Sequence, residues 1–404
     1  MRRIFLRGRD LLRSIASLPA LIFLGFVVLG FLQLATTDEA QRLPHWLEAY
    51  NIQDLDTIRT ILAAVITGVF TLTIFAYTMV MNVIDRSISS YSPRLLPLIL
   101  AERYHQEILG VGAGTIAHST ILLLGVADPP DAAKPPILAA ASSGFFAVVS
   151  LVLFIYFIHR VSRSIHINVL LRKSFDHTER RLREVTGQRG KLVHLDPPEE
   201  SPERFCYADS CGYLDEVDLD GLTKLSSQAK FPLRLLPRAG DFVFAGDAVL
   251  GWTGGALPGD CNPQDYYKIS ANEPVDTYAT GFRHLVEVSI KAASPAINDP
   301  ATSMTAINYL GQLFRHLSEI PPYNAVADAT EGSGRVYLNN WTLPALLHSC
   351  FRELRCYLDS DPWGVDVLRK NLLRIESACV EHGREEGAAM ARRELDRLRD
   401  KPAD

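Results

Sequence analysis

The chain has 404 residues, with 41 Lys and Arg against 46 Asp and Glu, and a formal net charge of −5 at pH 7. This length suits two domains better than one. The mild negative charge lacks the basic footprint of a nucleic-acid-binding protein, so no nucleic acid is predicted as a partner.

Four apolar stretches within the first 160 residues contain no Asp, Glu, Lys or Arg. Each is long enough to cross a bilayer, which takes roughly 20 residues, and a backbone in lipid must satisfy its own hydrogen bonds as a helix. The first stretch is too long for a secretory signal and is interpreted as a retained span. The sequence therefore predicts a transmembrane domain over residues 1–160, with helices at 18–36, 61–84, 108–127 and 137–158.

The charges outside these stretches are unevenly distributed. Five arginines precede the first stretch, and basic residues also follow the second and the fourth, whereas the other two loops are acidic or short. The positive-inside rule then predicts that both termini lie in the cytoplasm.

Two features inside the third stretch are candidate functional positions. Gly110 and Gly114 form a small-xxx-small pair, which is typical of closely packed membrane helices. His118 is the ionisable residue well inside a span, and such residues often belong to functional sites. The competing interpretation of His118 is a neutral side chain bonded to a neighbouring helix.

The segment that follows the second stretch is rich in hydroxyl groups and includes Ser90, Ser92, Pro93 and Arg94. One interpretation is an elbow helix in the cytoplasmic interface, where arginines would face lipid phosphates. The other is the lining of a pore mouth. The sequence favours the interfacial helix.

After the fourth stretch the pattern predicts a soluble α+β domain. Residues 161–187 are predicted to form a juxtamembrane helix, 188–275 a small, mostly β module, and 276–404 a helical region. The Pro- and Glu-rich residues 188–206 are interpreted as a linker or long loop, and residues 341–358 and 363–400 as helices. The fold class is thus membrane α-helical, followed by a soluble domain with a small β module and a helical C-terminal part.

A polar cluster within the helical region is the main candidate site of the soluble domain. Asp299 followed by Pro300 is typical of a helix start, so Asp299 is predicted to cap a helix that buries Met304, Ile307, Leu310, Phe314 and Leu317. One interpretation is a capped helix junction, and the other is a binding site or a subunit contact. The cluster comprises Arg283, His284, Glu287, Ser294, Asn298, Asp299 and Thr302.

Common catalytic and cofactor motifs are missing from the sequence. No phosphate-binding GxxxxGK[ST] loop, HExxH motif or GxSxG elbow occurs. The six cysteines contain no CxxC pair, so free thiols are expected, and neither a metal site nor a cofactor is predicted. The lack of catalytic motifs counts against an enzyme, and no catalytic residue is assigned.

Two segments together resemble one protein family. They are Ser90-Tyr-Ser-Pro-Arg-Leu-Leu, which leads into the glycine-rich third span, and the run from Phe282 to Thr302 that contains Ser-Pro-Ala-Ile-Asn-Asp-Pro. The whole layout resembles the predicted membrane proteins grouped as domain of unknown function 2254. The resemblance implies a bacterial, multi-pass protein of the inner (plasma) membrane and implies no activity.

Two functions from different classes fit these observations. The favoured one is a channel- or transport-like assembly in the lipid bilayer with a cytoplasmic regulatory domain. Because four helices are few to enclose a pore, this function requires a homo-oligomer, whose subunits are predicted to meet partly through the membrane domain. The glycines of the third span are expected to support helix packing within the bundle or between subunits. The alternative is a membrane-anchored sensor or scaffold whose cytoplasmic domain binds a ligand or a protein. The sequence leaves the identity of that ligand or protein open.

Overall fold

The computed structural model describes residues 17–36, 55–90, 103–125, 137–164, 167–187, 191–196, 200–258, 262–271, 277–327 and 334–399. These residues form two compact units, an N-terminal unit of helices and a second unit that begins at Ile167. The first is called the membrane unit below and the second the soluble unit.

Within the part of the chain that the structure describes, the membrane unit has four helices that are long and apolar enough to cross a membrane, which confirms the four predicted spans. The third of them is the least apolar, because it carries His118, Ser119 and Thr120. The second is longer than predicted, because its helix begins six residues earlier and continues to Ser90. The helices are α1 (Ser17–Thr36), α2 (Leu55–Ser90), α3 (Arg103–Gly125) and α4 (Ile137–Ser164).

The glycines of α3 bring it close to α1 within the same chain. A Cβ atom placed on Gly110 would lie 3.0 Å from Ile22 Cβ, and one on Gly114 would lie 2.7 Å from the ring of Phe26. Larger side chains at these two positions would therefore push α1 away. Small residues permit this close backbone approach, as they do in other membrane bundles.

The soluble unit opens with a helix and then alternates short strands with helices. Its helices are α5 (Ile167–Gly187), α6 (Leu219–Ala229), α7 (Tyr278–Ala293), α8 (Pro300–Glu319), α9 (Leu343–Leu358), α10 (Pro362–Glu381) and α11 (Glu385–Arg399). Its strands are β1 (Leu192–Val193), β2 (Arg204–Tyr207), β3 (Gly212–Val217), β4 (Leu233–Leu235), β5 (Phe242–Val243), β6 (Ala248–Trp252), β7 (Tyr267–Ser270), β8 (Ala325–Ala327) and β9 (Arg335–Tyr337).

The strands form two sheets. The larger has the order β1-β8-β9-β4-β6-β2, in which β4 and β9 are parallel and the other neighbours are antiparallel. The smaller is β5-β3-β7. The larger sheet takes strands from both sides of residue 275, so the strand-rich and helix-rich stretches of the sequence share one sheet. The fold class predicted from the sequence, a membrane helical part followed by a soluble part with sheet and a helical C-terminal region, is confirmed.

Two local predictions for the soluble unit are wrong. Residues 188–206 are not simply a linker, because β1 lies within them and β2 begins there, and these strands pair with β8 and β6, respectively. The helix predicted over residues 363–400 is two helices, because the chain turns at Gly383, whose φ is +66°. A positive φ suits glycine, which has no Cβ to clash with the preceding carbonyl.

The helices α5, α7, α8 and α9 bury the main aromatic contacts of the soluble unit. Phe282 of α7 and Phe314 of α8 are fully buried and meet edge to face, with ring centroids 4.7 Å apart. The hydroxyls of Ser289 and Ser303 lie 2.8 Å apart and join the same two helices in the core. A satisfied buried polar pair of this kind fixes the register of two helices better than apolar contact alone.

Candidate functional site

The membrane unit encloses a small polar cluster around His118. This side chain is fully buried on α3, and its Nε2 atom lies 3.4 Å from Ser142 Oγ on α4. Ser142 in turn exchanges hydrogen bonds with the side-chain amide of Gln33 on α1, at 3.1 and 3.2 Å. The rings of Phe26 and Phe146 meet the imidazole edge to face. The cluster therefore connects α1, α3 and α4, which fits the interpretation of His118 as a residue bonded to a neighbouring helix.

A second row of polar groups follows the cluster through the interior of the bundle. Thr115 Oγ1 on α3 lies 3.3 Å from Ser150 Oγ on α4, and both side chains are buried. The buried hydroxyls of Ser119 and Ser143 have no hydrogen-bond partner among the described residues. A hydroxyl is costly to bury in an apolar medium without a partner, so the interior between α3 and α4 is more polar than packing requires.

The helix α2 buries an apolar face and exposes a line of threonines among large apolar side chains that include Phe70, Ile74 and Phe75. Its buried face is apolar and consists of Ile58, Leu62, Val69, Ala76 and Val80. Its threonines at positions 60, 67, 71 and 78 are exposed. Because an α-helix turns about 100° per residue, these four threonines lie on one line, directly opposite the buried face. This line is called the threonine stripe below.

Each hydroxyl of the threonine stripe donates a hydrogen bond to its own helix. The acceptor is in every case the carbonyl oxygen four residues earlier, at distances from 2.7 to 2.9 Å. The oxygen lone pairs that remain face outward from the bundle. The stripe is visible in the sequence as threonines spaced by seven, four and seven residues, although it was not among the predicted site residues.

The structure places Asp299 at the N-cap of α8, which confirms that prediction. Its carboxylate accepts hydrogen bonds from Thr302 N at 3.1 Å and from Thr302 Oγ1 at 2.6 Å. Ser294 ends α7, and its Oγ donates to Lys291 O at 2.6 Å. Asn298 has a φ of +52° and donates its N–H to Ser294 O at 2.8 Å. The tight connection between α7 and α8 thus brings Ser294, Asn298, Asp299 and Thr302 together.

The other three residues of the predicted polar cluster lie along α7, away from this connection. His284 is buried, Glu287 is partly buried and Arg283 is exposed. Arg283 lies about 16 Å from Ser294 along the helix axis, at 1.5 Å per residue. The seven residues therefore do not form one compact site.

The predicted membrane-exit residues can be placed only in part. Ser90 is the last residue of α2, whereas Ser92, Pro93 and Arg94 lie outside the described residues, as does the predicted elbow helix.

A cleft of about 400 Å³ opens in the soluble unit, in a place the sequence did not indicate. Aromatic side chains form one wall: Tyr278 at the start of α7, Tyr323 before β8, and Trp341 before α9. Burial raises the pKa of both tyrosine hydroxyls, so each stays neutral and can donate a hydrogen bond. Tyr278 Oη donates to Trp341 O at 3.3 Å, which holds two parts of the wall together.

The beginning of α11 also lines the cleft, and its residues Arg384, Glu385 and Glu386 carry charge. Arg384 Nε donates to Ser318 O at 3.1 Å, and this contact holds the guanidinium against α8. Neither glutamate forms an ion pair with a described residue, and both are exposed. The size of the cleft lies within the range of ordinary small-molecule sites, roughly 300–1,000 Å³.

The two buried thiols of the soluble unit are poor candidates for chemistry. Cys350 and Cys379 are buried, and burial raises the pKa of both, for Cys379 to about 11. A thiol needs a lowered pKa to act as a nucleophile near neutral pH. Among the described residues, no group of three or more His, Cys, Asp or Glu side chains is arranged to hold a metal ion.

Comparison with known proteins places these features in context. A family model described as "Predicted membrane protein (DUF2254)" matches residues 13–373. Uncharacterized proteins of Mycobacterium tuberculosis and Mycobacterium bovis are 27% identical over 311 residues, and the alignment covers 73% of this chain and 59% of each relative. The chain thus spans less than two thirds of the length of these relatives. No solved structure matches.

Proposed function

Because the chain belongs to the DUF2254 family of predicted membrane proteins, we propose that it forms a homo-oligomeric, channel- or transport-like assembly in the bacterial inner membrane. The soluble unit is its cytoplasmic regulatory domain. The mycobacterial relatives support a bacterial membrane, and the basic residues beside the first, second and fourth spans support cytoplasmic termini.

The threonine stripe is the observation that carries this proposal. A helix face that serves only as contact with lipid is normally apolar throughout, whereas the exposed side of α2 carries four threonines among its large apolar side chains. Thr60 and Thr78 are 18 residues apart, which corresponds to about 27 Å of helix. The hydrocarbon core of a bilayer is about 30 Å thick, so the stripe offers oxygen atoms across nearly its whole depth.

In an oligomer, the threonine stripes of neighbouring subunits can face one another, which a single subunit does not allow. Copies of α2 arranged around a common axis would turn their threonines toward one another, either lining a hydrophilic path or packing helix against helix. Hydroxyl and small side chains favour both arrangements in membranes. Asn82 and Asp85, both exposed, continue the polar character toward the end of α2.

The test is the mass and solute flux of the full chain, in mild detergent and in liposomes respectively. We expect an oligomer for the wild type, and Thr67→Leu/Thr71→Leu should dissociate it or abolish flux. The matched control is Val152→Leu, which adds apolar bulk at an exposed position of α4. A strictly monomeric wild type, or a double variant with unchanged mass and flux, would rule the proposal out.

The orientation has its own test. Reporter fusions after residues 45, 100, 131 and 180 should lie outside, inside, outside and inside, respectively. A reporter at residue 180 on the outer side would contradict the proposed topology.

The second candidate function is a membrane-anchored sensor. The cleft of the soluble unit favours it, because a cavity of about 400 Å³ with aromatic walls suits a small ligand. If the protein is a monomer in detergent and shows no solute flux in liposomes, the sensor function explains the data better than the channel-like function.

A further inference from the structure

We infer that the cleft between the three aromatic side chains and the start of α11 binds an organic cation, namely a small molecule with an apolar body and an ammonium group. This inference goes beyond the proposed assembly, because binding at the cleft does not depend on whether the membrane helices conduct.

Three aromatic side chains that line the cleft favour a cationic ligand. Tyr278, Tyr323 and Trp341 come from three separate segments and converge on one cavity. The faces of aromatic rings are electronegative and attract cations, and the indole of tryptophan attracts them most strongly. The Trp341 ring already has one cation partner, because the guanidinium carbon of Arg238 lies 4.3 Å from the ring centroid. Arg238 is not among the residues that line the cleft, whose aromatic lining also includes Tyr278 and Tyr323.

The charged side chains that line the cleft also favour a cation over an anion. Glu385 and Glu386 outnumber Arg384, and neither glutamate has an ion-pair partner among the described residues. Both lie in the first turn of α11, where they offset the positive end of the helix dipole. A bound carboxylate or phosphate would meet these two charges, whereas an ammonium group would be attracted by them and by the rings.

The remaining lining decides the shape of the ligand. Leu317, Ile320 and Leu343 provide apolar surface between the aromatic wall and the start of α11. A metal cation would gain nothing from such surface, because metal ions need oxygen, nitrogen or sulfur ligands. An organic cation with a ring or alkyl body covers the apolar surface and keeps its charge near the rings and glutamates.

The probe is phenyltrimethylammonium, compared with its neutral isostere tert-butylbenzene and with benzoate as an anion. Isothermal titration calorimetry is carried out on the full chain in lipid nanodiscs, with empty nanodiscs as the blank for partitioning into lipid. We expect the ammonium compound to bind about 10-fold more tightly than its neutral isostere, in line with a desolvated cation–π contact, and benzoate to bind more weakly than both. Equal affinity for the cation and its isostere, tighter binding of benzoate, or no binding of any probe would overturn the inference.

Two pairs of variants locate the site. Trp341→Leu should weaken binding of the ammonium compound about 10-fold, whereas Trp363→Leu, at a tryptophan that is 69% exposed on α10, should leave it unchanged. Glu385→Gln/Glu386→Gln changes only charge at exposed positions and keeps the test valid if Trp341→Leu fails to fold. This double variant should weaken binding of the ammonium compound and leave binding of the neutral isostere unchanged. Glu353→Gln, at an exposed position of α9, should change the affinity for neither probe. An unchanged cation affinity in the glutamine double variant would contradict the inference.

Discussion

Gly281 lies where α7 crosses α5, and its replacement by alanine should destabilise the soluble unit. A Cβ atom there would lie 1.9 Å from Thr178 Oγ1, 2.7 Å from its Cγ2 and 2.8 Å from its Cβ. Rotation of the threonine would break its 2.7 Å hydrogen bond to Ser174 O and would leave the Cβ contact in place. The two helix backbones must therefore separate, since non-bonded carbon atoms prefer about 3.5–4.0 Å.

Two opposing effects set the magnitude. Alanine at a helical position is more favourable than glycine by about 1 kcal/mol, because glycine loses more backbone entropy on folding. Overpacking of a closed core costs about 1–3 kcal/mol, and Thr178 is almost fully buried, so the upper half of that range applies. The net loss is about 1–2 kcal/mol, which lowers the melting temperature of a unit of this size by about 3–6 °C.

Thermal unfolding of the full chain in detergent, followed by tryptophan fluorescence, measures this loss. Gly255→Ala is the control, because a Cβ atom at Gly255 meets nothing within 4 Å. Thr178→Ala/Gly281→Ala should recover part of the stability, since it removes the two outer atoms of the clash, and the coupling between the two sites should be measurable. A melting temperature of Gly281→Ala equal to or above that of Gly255→Ala would refute the reasoning.

Three further changes give results of different kinds. Asp299→Ala should lower the free energy of unfolding by about 1 kcal/mol through loss of the helix cap, measured by thermal unfolding. If the variant keeps the wild-type melting temperature but loses the effect that the wild-type protein has in cells, the residue has a functional role instead. Gly114→Leu should drive the ring of Phe26 away and lower the melting temperature of the bundle, while the mass in detergent should stay that of the wild-type oligomer. If the variant is a monomer instead, α3 takes part in the contact between subunits. Glu179 accepts a hydrogen bond from Arg183 that holds its pKa below the ordinary 4.5. Its stabilisation is therefore present above 4.5 and lost as the pH falls through the lowered pKa, so Glu179→Gln should reduce the fall in melting temperature that acidification below about pH 4.5 causes.

The membrane helices were predictable because hydrophobic length is a local signal. Each span needs only about 20 apolar residues in a row, and no distant contact alters that requirement. The cap at Asp299 was predictable for the same reason, since its carboxylate serves an N–H only three residues away. The helix that Gly110 and Gly114 contact was not predictable, because a small-xxx-small pair indicates close packing without indicating the partner helix.

The strands β1, β8 and β9 and the cleft could not be predicted, because they depend on residues far apart in sequence. The strands β1, β8 and β9 have only two or three residues each, too few to show an alternating pattern. They exist because of their partners, as in the pairing of Leu192 with Val326. The cleft likewise joins Tyr278 to Glu386, and no local pattern connects these residues.

The order of the larger sheet has a consequence for how the protein is made. Leu195 N donates to Asn324 Oδ1 at 2.9 Å, and these partners are 129 residues apart in the chain. At a synthesis rate of about 5–20 residues per second, the first strand leaves the ribosome roughly 6–26 s before its neighbour exists. During that interval β1 has an unpaired edge close in sequence to newly inserted membrane helices. A chain that stalls before residue 325 would keep this edge open and expose it to aggregation or to quality-control proteases at the membrane.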